Sequence, residues 1–74
     1  MEIKEFIEKF AEANEIDLND AITPETDFKA IDGWSSLSVI ITIAFFDEEF
    51  GKEVSGIDIK NAVTIQDLYN LATA

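Results

Sequence analysis

Two adjacent serines stand in the run Asp32-Gly33-Trp34-Ser35-Ser36-Leu37, where a polar, glycine-containing stretch gives way to the longest apolar segment of the chain. A serine pair ahead of an apolar run is a helix-start signal. A hydroxyl on the first turn of a helix lies beside the positive end of the macrodipole, a good place to carry a phosphate. Ser36 is therefore the candidate for chemistry, either as an anchor for a cofactor or as no more than part of a cap. Little else in the chain could react. There is no histidine and no cysteine, which removes a Ser-His-Asp triad, a thiol nucleophile and imidazole metal ligands. With 74 residues there is also little room for a closed pocket, and no enzymatic activity is expected.

Charge narrows the partners. The net charge is −11, from sixteen acids against five lysines. Nucleic acid and anionic membrane are poor partners for such a surface, because both need a basic footprint. Proteins with basic docking surfaces suit it, approached with electrostatic steering; plain solubility is the blander explanation of the same acids. The acids Asp17, Asp20, Glu25 and Asp27 lack the spacing of a calcium loop, so a divalent-ion binder is disfavoured. No apolar stretch approaches the ~18 residues of a membrane span. No basic region followed by an apolar one suggests a secretory signal, and a cytoplasmic monomer is expected.

The elements that must position Ser36 follow from periodicity. Residues 2–14 read as an amphipathic helix, since Ile3, Phe6, Ile7 and Phe10 recur at i, i+3, i+4 and i+7. Glu5 and Lys9 are spaced to pair on its surface, and Asn14 is a credible end. Residues 15–34 form a long connection with Leu18, Ile22, Phe28 and Ile31 as apolar anchors, Thr23-Pro24 extended or turning, and Asp32-Gly33 as a turn. A connection this long in a small domain is often functional.

Residues 36–50 are ambiguous locally, because Val39 to Ile43 is rich in β-branched residues and favours a strand by propensity. The length of the segment, the serines at its start and Gly51 as a C′ residue favour a helix. Such a helix is apolar nearly all round, with Ser38, Thr42 and Glu49 as a narrow polar strip, so part of its apolar surface should be exposed. Residues 55–62 read as a short helical turn anchored by Ile57 and Ile59. Residues 64–74 read as a last helix capped by Thr64 with Asp67 at the third position, Ile65, Leu68 and Tyr69 facing inward. The expectation is one all-α domain over residues 1–74: a small bundle of three main helices and a short one, with a long first loop. Phe6, Phe10, Phe28, Phe46 and Phe50 would fill much of its core.

At this point the chain resembles the acyl carrier proteins. The matching residues are Ser36-Leu37 opening a helix, then Ile40, Ile43 and Phe46 at inward positions, then Glu48-Glu49-Phe50-Gly51. Thr64-Ile65-Gln66-Asp67-Leu68 is similar to the start of that family's last helix, and Thr26, Asp27 and Phe28 stand where its loop has similar residues. The likeness spans essentially the whole chain; each piece is weak alone. It implies that a phosphopantetheinyl transferase moves 4′-phosphopantetheine from coenzyme A onto the Ser36 hydroxyl as a phosphodiester. The arm ends in a thiol on which acyl groups ride as thioesters, to be loaded and passed on by partner enzymes in fatty acid, polyketide or related lipid synthesis. A chain without cysteine would have to import that thiol.

Two departures stand out. The family usually has Asp directly before the modified serine; here Ser35 keeps the capping role but not the charge, which leaves open a general or a dedicated transferase. Leu37 fixes the register that selects Ser36 over Ser35. Relatives also place acids at the positions of Ser38 and Ile41, whereas here Val39 and Ile41 are expected beside the arm as an apolar patch for partners. The residues expected to meet partners are Ser35, Leu37, Ser38, Val39, Ile41 and Glu48. An amino-acyl or peptidyl carrier shares this fold and arm, and an unmodified acidic interaction module would use Ser36 only as a cap; the residues leave both open.

Overall fold

Ile3, Phe6, Ile7 and Phe10 lie along one face of the first helix, α1 (Ile3–Ala13), as the 3.6-residue repeat requires, and Phe6 and Phe10 are fully buried. A computed structural model describes residues 1–17 and 22–74; the expected anchor Leu18 and the acid Asp20 lie outside them. α1 ends at Asn14, whose N–H returns to the Phe10 carbonyl at 3.1 Å. Glu15 follows in the left-handed region, at φ 54°.

From residue 22 onward the connection is tied to the rest of the fold. Pro24 and Thr26 turn their carbonyls to the first N–H groups of the last helix, with Gln66 N–H to Pro24 O at 2.8 Å and Ile65 N–H to Thr26 O at 3.1 Å. A single 3-10 turn, Phe28–Ala30, is opened by Asp27, whose side chain accepts from the Lys29 N–H. Phe28 enters the core, and Ile22 and Ile31 pack against it.

The long helix α2 spans Ser36–Phe50. Its helical state, despite the β-branched run, follows from tertiary packing, which overrides the weak local propensity. Gly51 closes it at φ 61°, where a side chain would be strained. The N–H groups of Gly51 and Lys52 return to the Asp47 and Phe46 carbonyls at 3.0 and 3.2 Å. The short α3 (Gly56–Asn61) and the last helix, α4 (Ile65–Thr73), both start with capping boxes, Ser55 with Asp58 and Thr64 with Asp67. Helix α2 packs against α1, α3 and α4, and α1 also against α4. The described residues thus form an all-α bundle of four helices, with no strand beyond an isolated bridge between Asp27 and Thr64. None of these helices is long and apolar enough to cross a membrane.

The core is aromatic. Phe6 lies at its centre, with ring centroids of Phe45, Phe46, Phe50 and Tyr69 between 5.4 and 6.1 Å away. Phe45 also belongs to this cluster, in addition to the five phenylalanines expected in the core. Edge-to-face and tilted contacts of this kind add to the area term.

Several expectations are corrected. Two of the three residues of the polar strip of α2 do not face water: Ser38 is 4% exposed and Thr42 is fully buried, while Glu49 is exposed. Ile40, expected inward, is 64% exposed, and Ile57, expected as an anchor, is 69% exposed while Ile59 is fully buried. The cause is the packing of α1 and α3 on α2, which leaves the arc through Leu37, Ile40 and Ala44 open while the Ser38–Thr42–Phe45 side and the Val39–Ile43 side are covered. Thr42 is tolerated inside because Asn14 Nδ2 reaches its Oγ1 at 3.4 Å. Lys9 pairs across helices with Glu49 at 3.4 Å, not along its own helix with Glu5.

Candidate functional site

Ser36 is the first residue inside α2, and Ser35 is its N-cap, in extended backbone at φ −147° and ψ 179°. Ser35 and Ser38 face each other as a capping box. Its well-formed arm is the Ser35 N–H donating to Ser38 Oγ at 3.1 Å, while the Ser38 N–H donates to the Ser35 carbonyl at 3.0 Å. The two serines are thereby told apart. Ser35 is committed to starting the helix, whereas the exposed Ser36 hydroxyl has no hydrogen-bond partner among the described residues.

The turn before the serines is held by aromatic packing. Trp34 stacks on Phe10, centroids 6.2 Å apart and planes 28° from parallel, and meets Phe28 edge-on at 5.0 Å. Its backbone N–H donates to the Ile31 carbonyl at 3.1 Å. Gly33, at φ 93°, supplies the backbone geometry that swings the chain from this anchor to the cap. A rigid tryptophan two residues upstream and a capping box around it fix where the Ser36 hydroxyl sits.

The electrostatics at this end are those of an open helix terminus. The first turn of α2 holds no acidic residue, and the N–H groups of Ser36 and Leu37 form no hydrogen bond among the described residues. The start of α4 contrasts with it. There Thr64 Oγ1 accepts from the Asp67 N–H at 3.1 Å, and Asp67 Oδ2 accepts from the N–H groups of Val63 and Thr64 at 3.0 and 3.1 Å. Those backbone hydrogen bonds hold the Asp67 carboxyl below the ordinary carboxylate value. With the loop carbonyls on Ile65 and Gln66, the α4 terminus is filled by the protein itself.

Of the residues expected to meet partners, Ser35, Leu37 and Glu48 are exposed, Val39 and Ile41 are half-buried, and Ser38 is buried. Ser38 is corrected: its hydroxyl belongs to the cap and no longer to a docking surface. Val39 faces α3, where its Cγ1 lies 3.9 Å from the position a Cβ on Gly56 would take, so it serves the α2–α3 contact. The exposed apolar residues beside Ser36 are instead Leu37, at 61%, and Ile40. Ile40 was expected inward because a helix apolar on all sides gives no local signal for which side is covered.

Ile41 and Glu48 line a groove of about 580 Å³ between α1 and α2, together with Lys9, Glu12, Ala13, Ala44, Phe45 and Glu49. A second groove, beside the long connection, is bordered by Glu15, Asp17, Asp27 and Asp32. Ser36 lines neither. Among the described residues no cluster of acids could hold a metal ion. The site therefore offers an exposed hydroxyl on the first turn of a helix, without a hydrogen-bond partner among the described residues. The chain matches no protein-family model, and no curated protein and no solved structure is similar to it.

Proposed function

We propose that this protein is an acyl carrier whose Ser36 hydroxyl is the attachment point for 4′-phosphopantetheine. The observation that carries the reading is the position of the two serines: Ser35 is the N-cap, its backbone N–H bonded to Ser38 Oγ, and Ser36 presents an exposed hydroxyl without a hydrogen-bond partner on the first turn of α2. The residues present fit the group. The open N–H groups of Ser36 and Leu37 and the helix dipole would favour a phosphodiester, and the acid-free first turn of α2 does not repel it. When attached, the arm supplies the thiol that holds an acyl group as a thioester, a group that a chain without cysteine cannot provide itself.

The chain's own contribution is position and recognition. Trp34, Gly33 and the Ser35–Ser38 cap hold the attachment oxygen at one end of a rigid helix. The acidic surface, with a net charge of −11, suits basic patches on the enzymes that load and unload the cargo. The core is aromatic, and Leu37 and Ile40 give an exposed apolar surface on the outside of α2 on which an apolar cargo could rest.

Intact mass after incubation with coenzyme A and each of several phosphopantetheinyl transferases tests the reading. One added phosphopantetheine is expected on the wild type and on Ser35→Ala, and none on Ser36→Ala. Failure of every transferase to modify the wild type would leave the domain as an unmodified acidic interaction module.

A further inference from the structure

We infer that the Lys29 ammonium is a latch that holds α3 closed against the connection, and that α3 opens as one unit when the latch is undone. The latch lies on the seam between the connection and α3, and it acts whether or not Ser36 is modified. Lys29 follows Phe28 in the 3-10 turn, and its side chain is exposed. Its Nζ donates to the Lys60 carbonyl in the last turn of α3, where a cation suits the unpaired carbonyls of a helix end. The same Nζ lies 5.6 Å from the centroid of the Phe28 ring, within cation–π range. The foot of the latch is fixed. Asp27 Oδ1 accepts from the Lys29 backbone N–H at 3.0 Å, and Asp27 itself bridges to Thr64 at the start of α4. Neither Lys29 nor Lys60 forms an ion pair among the described residues, so no carboxylate competes for the ammonium.

The other ties of α3 are few. It has six residues and packs chiefly against α2. Ile59 is its one buried side chain, and Gly56 faces Val39 of α2. Its capping box, Ser55 with Asp58, closes on itself, and the Ala62 N–H returns to the Ile59 carbonyl at 3.2 Å. Those bonds belong to α3 and anchor it to nothing else. Among the described residues the Lys29 ammonium makes the one hydrogen bond from α3 to a distant part of the chain. The start of α4 differs, because two backbone bonds from Pro24 and Thr26 hold it to the connection. Opening α3 therefore breaks one charge-assisted bond and uncovers Ile59 and the Val39 side of α2. A helix this short does not persist once detached, so its amide hydrogens exchange with solvent in the open state.

The test is backbone hydrogen–deuterium exchange followed by NMR on the unmodified protein, at several urea concentrations below the unfolding transition. The variants are Lys29→Met, which keeps the apolar stem and loses the charge, and Lys29→Arg, which keeps both charge and donors. Both change an exposed side chain, and circular dichroism checks that each has wild-type helicity. In the wild type the Ile59, Lys60 and Asn61 amides should exchange faster than the central amides of α2 and nearly independently of urea, as local opening requires. Lys29→Met should quicken these three about fivefold, still without urea dependence, and Lys29→Arg should keep them within about twofold of the wild type. If the three amides exchange only at the rate of the α2 amides, with the same urea dependence, α3 opens only with the whole fold and the inference is overturned. It is overturned equally by wild-type rates in Lys29→Met, or by rates in Lys29→Arg as fast as those in Lys29→Met. Each of these outcomes leaves the carrier reading of Ser36 as it stands.

Discussion

Ser38 Oγ accepts the Ser35 N–H at 3.1 Å, and this bond between a buried side chain and the N-cap residue sets the start of α2 one residue before Ser36. Ser38→Ala removes the acceptor and leaves a part-buried N–H unmatched. The expected cost is about 1 kcal/mol, measured by urea unfolding. The cavity left by one oxygen is small, so a much larger loss would mean that Ser38 has a second role in packing.

Trp34 is the only tryptophan, and it joins the Ser36 turn to Phe10 and Phe28. Trp34→Ala should destabilise the fold by about 2 kcal/mol or more, since a half-buried indole is replaced by a void. Trp34→Phe should recover most of that, because a ring remains against Phe10. In the wild type, tryptophan fluorescence and far-ultraviolet circular dichroism should report one shared unfolding midpoint. A fluorescence transition well ahead of the helical one would show the turn leaving the core separately.

Glu15 sits in the left-handed region with an exposed side chain. A residue with a Cβ pays strain there that glycine avoids. Glu15→Gly should therefore raise stability by about 0.5–1 kcal/mol, read as a higher urea midpoint with an unchanged slope. A drop in midpoint would mean that the Glu15 side chain makes a contact worth more than the strain.

Asp67 is held below the ordinary carboxylate value chiefly by the Thr64 and Val63 N–H groups. A carboxylate depressed by folding contributes stability above its unfolded value, about 4, and that contribution is lost as the pH falls through the lower folded value. The stability difference between the wild type and Asp67→Asn should accordingly be greatest near neutral pH and shrink on acidification below about pH 4. Paired urea titrations at several pH values measure it. A difference that stays constant down to pH about 2 would assign the effect of the substitution to geometry and not to charge.

Where local chemistry carries the information, the linear sequence sufficed. The stripe Ile3, Phe6, Ile7, Phe10 can only be an inward helix face. Gly51 marks a left-handed stop, and Thr64 with Asp67 marks a start, because caps and turns depend on residues a few positions apart. The serine pair before Leu37 identified the start of α2 and its candidate hydroxyl for the same reason. Which way α2 faces was decided only by packing. Its residues are apolar on almost every side, so periodicity contains no direction, and the polar Ser38 and Thr42 pointed the wrong way as a guide. Docking of α1 and α3 on two flanks buried those hydroxyls against a cap and Asn14, and left Leu37 and Ile40 to the solvent beside Ser36. The same packing set Ser35 at the N-cap and Ser36 on the first turn, a difference in backbone position that rests on the three-dimensional position of Ser38.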